Sequence, residues 1–205
     1  NFYKVVKENS KIKSQFGKGL KIVFAGNIGV AQSFDTIFYA VKILATKLKD
    51  FKFIIIGDGR DRKRIQKKIA DNSLDNYFEF LGSYPPEKMP AFFASADALL
   101  VSLKDTKIFS MTIPGKLQSY LACGKPIIAS LNGIGAKLVE ESNSGFTSRA
   151  EDPESLAASV LKFSKLSSAQ KKELGKNARI YYKKEFERSR LLTRLIDIFA
   201  KWKIY

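Results

Sequence analysis

Lys21-Ile22-Val23-Phe24-Ala25-Gly26-Asn27-Ile28-Gly29 precedes a stretch in which Phe34, Ile37, Phe38, Val41, Leu44 and Leu48 recur at three- and four-residue steps. The first run is apolar without alternation, the pattern of a strand buried on both faces, and the second is the stripe of a helix laid against a core. Strand, glycine loop and helix form one unit, and the unit repeats. Phe51 to Ile56 reads as a strand ending in Gly57-Asp58-Gly59, with a helix from Arg60 to Asp71. Phe78 to Leu81 is a strand, Pro86 to Ala94 a short helix, and Ala98 to Leu103 a strand. Pro114 to Cys123 is a helix before the strand Ile127 to Ser130, and a helix from Gly135 to Glu141 leads to a strand near Gly145-Phe146-Thr147. Buried strands with helices between them specify a parallel, doubly wound sheet with helices on both faces.

Beyond that strand the chain reads as helical to its end. Asp152 is placed as an N-cap with Pro153 at the first helical position, and further helices are expected over Ala169 to Lys184 and Arg188 to Trp202. The fold class is therefore α/β, a Rossmann-like sheet with C-terminal helices. Residues 20–205 read as one domain. Residues 1–19 are polar and basic with few apolar anchors, and read as a leading segment or the remnant of an interdomain linker.

With 205 residues, 45% of them hydrophobic, the chain can bury one sizeable core. No apolar run reaches the roughly 18 to 20 residues of a membrane span, and the first residues lack the basic and apolar regions of a signal peptide. The single cysteine, Cys123, fits a reducing cytoplasm. Absence of any histidine rules out a Ser-His-Asp triad, and no C-x-x-C or acidic cluster suggests a metal. The formal charge of +16 creates a field that concentrates anionic partners. Much of it falls in Arg60 to Lys68 and Lys171 to Arg194, where helical spacing makes solvated outer faces the plain explanation.

In doubly wound sheets, ligands sit beyond the carboxyl ends of the strands, where the strand order reverses. The loops that matter are then Gly26 to Gln32, Gly57 to Arg62, Gly82 to Pro86 and Leu103 to Lys116. Gly26-Asn27-Ile28-Gly29 could let backbone N–H groups approach a diphosphate, although it lacks the full G-x-G-x-x-G spacing. Gly57-Asp58-Gly59 is equally well read as a tight turn without a ligand. Pro114-Gly115 opens a helix whose unpaired N–H groups suit an anion, and Lys116 adds a full positive charge in the same first turn.

Phe24-Ala25-Gly26-Asn27, Ile55-Ile56-Gly57-Asp58-Gly59, Phe80-Leu81-Gly82, Ala96-Asp97-Ala98 and the run Pro114 to Pro126 stand in an order that resembles one known domain. It is the C-terminal, nucleotide-sugar-binding half of family 4 (group 1) retaining glycosyltransferases of the two-domain GT-B fold, and the resemblance spans about Lys21 to Phe199. Pro114 to Pro126 with Leu131-Asn132-Gly133 resembles a branch that builds bacterial surface polysaccharides. Many members carry an Arg after the first strand's glycine and a Lys five residues on; the matching positions here are Asn27 and Gln32. The usual pair of glutamates, which hold the donor sugar and ribose, falls on Met111 and Ser119.

The resemblance implies transfer of a sugar from a nucleotide diphosphate sugar, uridine more than guanosine, to an acceptor that is lipid-linked, with retention and without a metal or other cofactor. Donor-binding residues are expected among Gly26, Asn27, Gly29, Gln32, Gly57, Asp58, Gly59, Gly82, Met111, Pro114, Gly115, Lys116 and Ser119, with Lys116 in place of the missing cations. The acceptor site and the catalytic groups are expected in an N-terminal domain outside this chain, so the chain should not turn over alone. A cytoplasmic place is implied, peripheral on an anionic membrane face, with the basic terminal helices, Trp202 and Tyr205 as the contact. A non-catalytic nucleotide-binding or regulatory domain and a sugar-nucleotide epimerase are the alternatives. Nucleic-acid binding is disfavoured, because no exposed sheet face interleaves aromatic and basic residues.

Overall fold

A computed structural model describes residues 2–202, the side chain of Trp202 excepted. Six strands form one parallel sheet: β1 (Leu20–Ala25), β2 (Phe51–Ile56), β3 (Phe78–Gly82), β4 (Ala98–Ser102), β5 (Ile127–Ser130) and β6 (Gly145–Ser148). Their order is β3-β2-β1-β4-β5-β6, and every neighbouring pair runs parallel. The helices are α1 (Ser10–Gln15), α2 (Phe34–Ala45), α3 (Arg62–Asp71), α4 (Met89–Ala94), α5 (Lys107–Ser110), α6 (Gly115–Ala122), α7 (Ile134–Glu141), α8 (Pro153–Ser164), α9 (Ser168–Glu185) and α10 (Arg188–Trp202).

The apolar strands behave as their composition requires. All five residues of β4 are buried, as are five of the six in β1, so side chains of both parities face a core. One face carries a cluster that includes Val23, Ile54, Leu99, Phe93 and Tyr120. The other carries Phe24, Phe53, Ile55, Leu100, and the buried stripes of α2 and α8, from Phe34 to Phe163. At about 25 cal/mol per Å² of apolar surface removed from water, these two clusters are the main source of stability.

The Asp152 cap falls where the sequence places it, and α9 carries a second cap that the sequence reading did not name. The Asp152 carboxylate accepts the Ser155 backbone N–H at 2.8 Å ahead of Pro153, and Ser167 and Gln170 form a reciprocal capping box on α9. Two features differ from the sequence reading. The loop from Leu103 to Lys116 contains α5, capped by the Thr106 hydroxyl, a four-residue helix too short to show a period. Residues 1–19 are better anchored than their polar composition suggests. They include α1, capped by Asn9, and Phe16 is fully buried and stacks on Phe92 at 6.3 Å. Sparse apolar residues suffice there because each one finds an existing core. Tyr205 lies outside the described residues, as does the side chain of Trp202. Among the described residues no helix is long and apolar enough to cross a membrane.

Candidate functional site

The chain leaves β1 toward β2 on one side and leaves β4 toward β5 on the other, so a crevice opens between the carboxyl ends of β1 and β4. A cavity of about 480 Å³ lies at this end of the sheet. Gly26 and Asn27 contribute from β1, Gly57 and Asp58 from β2, and Ser83 and Tyr84 from the loop after β3. Helices α4 and α6 close it with Met89, Phe93, Gly115, Lys116, Ser119 and Tyr120, and Tyr3 completes the wall.

The loops on the strand ends are braced to one another by their backbones. Gly26 N–H donates to the Ile56 carbonyl at 2.8 Å, Ile28 N–H to the Asp58 carbonyl at 2.8 Å, and Gly57 N–H to the Gly82 carbonyl at 2.7 Å. Gly57 has φ +132°, and a Cβ on it would stand 2.0 Å from the Gly26 carbonyl oxygen. Only glycine permits this approach. The even choice between a ligand loop and a bare turn at Gly57-Asp58-Gly59 thus has a structural component: the turn exists to meet the β1 loop.

Lys116 sits in the first turn of α6, at the positive end of the helix dipole. Its side chain crosses to β1. The Nζ lies 3.9 Å from the centroid of the Phe24 ring and donates to Gln32 Oε1. A Cβ on Gly26, itself at φ +138°, would come within 2.6 Å of Lys116 Cε, so the glycine makes room for the lysine. Among the described residues no carboxylate pairs with this ammonium. Burial without a counter-charge pulls its pKa down from 10.5 to about 7. An anion entering the crevice would supply the missing partner.

Tyr120 ties the two diverging strands together. Its fully buried hydroxyl accepts the Ala25 N–H at 3.1 Å and lies 3.4 Å from the Leu100 carbonyl, which it can donate to. Burial pushes its phenol well above the usual tyrosine range, so it stays protonated. Its ring meets Phe93 edge-on at 5.1 Å.

Seven of the thirteen residues expected to bind a donor line the cavity: Gly26, Asn27, Gly57, Asp58, Gly115, Lys116 and Ser119. The other six stand behind or beside it. Gly29 and Gly59 lie against the Asn27 side chain. Gln32 reaches the site only through Lys116, and Gly82 through the hydrogen bond its carbonyl takes from Gly57. Pro114 is the extended N-cap of α6, and Met111 is exposed at the end of α5. The Ser119 hydroxyl donates to the Gly115 carbonyl one turn back, at 3.3 Å.

Sequence reading missed Tyr3, Ser83, Tyr84, Phe93 and Tyr120. Ser83 and Tyr84 fall within the loop singled out after β3. Phe93 and Tyr120 carry the helical spacing of ordinary core residues, and nothing near Tyr3 marks it. Among the described residues there is no group of three or more His, Cys, Asp or Glu side chains that could hold a metal ion.

The chain is similar in sequence and fold to known proteins. An uncharacterized glycosyltransferase of Methanocaldococcus jannaschii is 28% identical over 199 residues, 95% of this chain and 48% of that protein. The amylovoran biosynthesis glycosyltransferase AmsK of Erwinia amylovora is 27% identical over 159 residues, 77% of this chain and 39% of that one. The chain spans about half the length, or less, of these relatives. Among solved structures, Anabaena Alr3699/HepE in complex with UDP and glucose superposes with a TM-score of 0.77 at 18% identity, covering 98% of this chain and 54% of that one. The C-terminal domain of the glycosyl transferase group 1 family protein LpcC from Francisella tularensis gives 0.74 at 14% identity, covering 91% of this chain and 97% of that domain. Both show the same fold. The family model for glycosyl transferases group 1 matches residues 19–165, and the chain accordingly belongs to that family.

Proposed function

We propose that this chain is the donor-binding half of a glycosyltransferase that takes its sugar from a uridine diphosphate sugar. The observation that carries the reading is Lys116: an ammonium without a carboxylate partner among the described residues, at the positive end of α6, over Gly26 at the strand-order switch. A diphosphate there would meet the charge, the first-turn N–H groups of α6 and the braced glycine loop. The aromatic side chains on the cavity lining, Tyr84 and Phe93 among them, suit a nucleoside. Alr3699/HepE, which has the same fold, binds UDP and UDP-glucose.

The chemistry asked of these groups is electrostatic. As the glycosidic bond to the diphosphate breaks, negative charge grows on the leaving oxygens, and a preorganised cation and helix terminus stabilise it more than they stabilise the bound donor. On this reading Lys116 answers the charge without a metal ion, configuration is retained, and residues 20–205 form the nucleotide-sugar domain. The acceptor, lipid-linked and bound for a surface polysaccharide, is held on this reading by an N-terminal domain of the enzyme. AmsK, named for amylovoran biosynthesis, favours the polysaccharide part of that reading.

Calorimetric titration of the chain with UDP, with and without chelator, tests the proposal. Binding in the micromolar to millimolar range, stronger than for GDP and unchanged by chelator, is expected. Silence at millimolar UDP would overturn it.

A further inference from the structure

The cavity lining is of two kinds, a charge at Lys116 and aromatic rings at Tyr3, Tyr84, Phe93 and Tyr120, and one of those rings comes from outside the βα units. Tyr3 lines the same cavity as Lys116. Its ring lies nearly parallel to that of Phe93, at 11° and a centroid distance of 6.2 Å, and Phe93 leads edge-on to Tyr120. Tyr84, also on the lining, packs on Phe92 at 4.5 Å.

Tyr3 does not hang free. Behind it Val5 rests against Gly124, the Asn9 carbonyl accepts the Ser95 hydroxyl at 3.4 Å, and Asn9 Oδ1 caps α1 through the N–H groups of Lys11 and Ile12 at 3.0 and 3.2 Å. Phe16 then buries itself on Phe92. The leading segment is thus a strap drawn over α4 and α6 and pinned at four places. Its last anchored ring stands on the wall of the cavity. A partly exposed aromatic, held parallel to a second ring by an anchored backbone, gives a flat apolar face whose ordering cost is already met by folding.

We infer that Tyr3 is a stacking residue for the nucleoside base, so that the leading segment is part of the ligand site and more than a tether. The inference rests on the donor reading above and deepens it by assigning the base a partner. Stacking of a base on an aromatic side chain is sequence-tolerant and contributes enough that its removal weakens binding by roughly tenfold. Phosphate groups gain nothing from it.

The test is titration of the 205-residue chain and its Tyr3→Ala, Tyr3→Leu and Tyr3→Phe variants with UDP and with inorganic pyrophosphate. Leucine keeps an apolar anchor without a π face and covers the case in which alanine loosens the strap. The expected result is a loss of about tenfold for UDP in Tyr3→Ala and Tyr3→Leu, near-normal binding in Tyr3→Phe, and pyrophosphate affinity unchanged in all three. Wild-type affinity for UDP in Tyr3→Leu would overturn the inference and leave the donor reading standing. Equal losses for UDP and pyrophosphate would also overturn it, because Tyr3 would then only hold the cavity open. Failure of the unaltered chain to bind UDP would overturn both.

Discussion

Replacing Lys116 by methionine should make the domain more stable and a poorer binder of UDP. The side chain keeps its length and apolar stem but loses the ammonium, so Phe24 and Gly26 keep a neighbour of similar shape. In the folded chain the ammonium has a pKa of about 7 against 10.5 for a solvated lysine. At about 1.4 kcal/mol per pH unit that gap caps the cost of burying the charge near 5 kcal/mol. Residual exposure and the acceptor oxygen of Gln32 lower the net figure, and a gain of about 2 kcal/mol for Lys116→Met is the working expectation. For a chain of this size it corresponds to roughly 4–8 °C in Tm. The sign with pH follows from the same gap. Between about pH 7 and 10.5 the unfolded chain holds this proton and the folded chain has released it, so stability rises with pH across that window. Below pH 7 both states are protonated and the full cost is present. Urea unfolding of the two proteins at pH 6, 8 and 10 should therefore show the largest advantage for Lys116→Met at pH 6 and the smallest at pH 10. UDP should bind the variant at least tenfold more weakly, and wild-type binding at pH 8 should take up close to one proton, read from heats in buffers of different ionisation enthalpy. A destabilised variant with unchanged UDP affinity would refute the reasoning, since the ammonium would then stabilise the fold through Phe24 and Gln32 and take no part in binding.

Gly57→Ala sets a Cβ 2.0 Å from the Gly26 carbonyl at a φ of +132°, so it should cost more than 2 kcal/mol in chemical denaturation and weaken UDP as the β1 and β2 loops part. Tyr120→Phe removes the acceptor for the buried Ala25 N–H; a loss of about 1–3 kcal/mol in the same assay is expected, and a neutral result would show that the contact is dispensable. Helix α10 exposes Leu191, Leu192, Leu195, Ile196, Ile198 and Phe199 beside Arg190, Arg194 and Lys201. If the peripheral membrane contact implied by the family resemblance holds, the chain should co-sediment with anionic but not neutral vesicles, at about 1 kcal/mol per basic residue near the surface, and be released by salt. Equal recovery with both vesicle types would count against it.

The fold was legible because hydrophobic periodicity reports burial directly. Strands such as Phe51 to Ile56 and stripes such as Phe34 to Leu44 could not be placed otherwise, and the glycines at their ends mark where backbones meet. The candidate site was legible only in part. Lys116 stood out because a charge in the first turn of a helix has local meaning, whereas its partner Gln32 lies 84 positions away and forms its contact only when β1 and α6 come together. Gly29 and Gly59 read as ligand loops, but Gly29 lies against the Asn27 side chain of its own loop, and Gly59 meets the Ile28 carbonyl and Asn27 across the loops after β1 and β2, a contact that spacing does not encode. Tyr3 was illegible for the same reason in stronger form, since a lone aromatic in a basic segment has no period and gains its role from Phe93, 90 positions on.

The sheet separates two apolar clusters, and the cavity draws its side chains unequally from them. Tyr120, Phe93, Met89 and Ile56 belong to one cluster, while the α2 and α8 side contributes no wall residue. Mutational drift should therefore be partitioned. Repacking among Ile37, Val41, Val160 and Phe163 can move the melting temperature while leaving ligand preference intact. A comparable change around Phe93 or Met89 alters melting and recognition at once. A lineage of such enzymes could adopt a new donor by varying one layer of the molecule, with the opposite layer held as a reserve of stability against which those changes are tolerated.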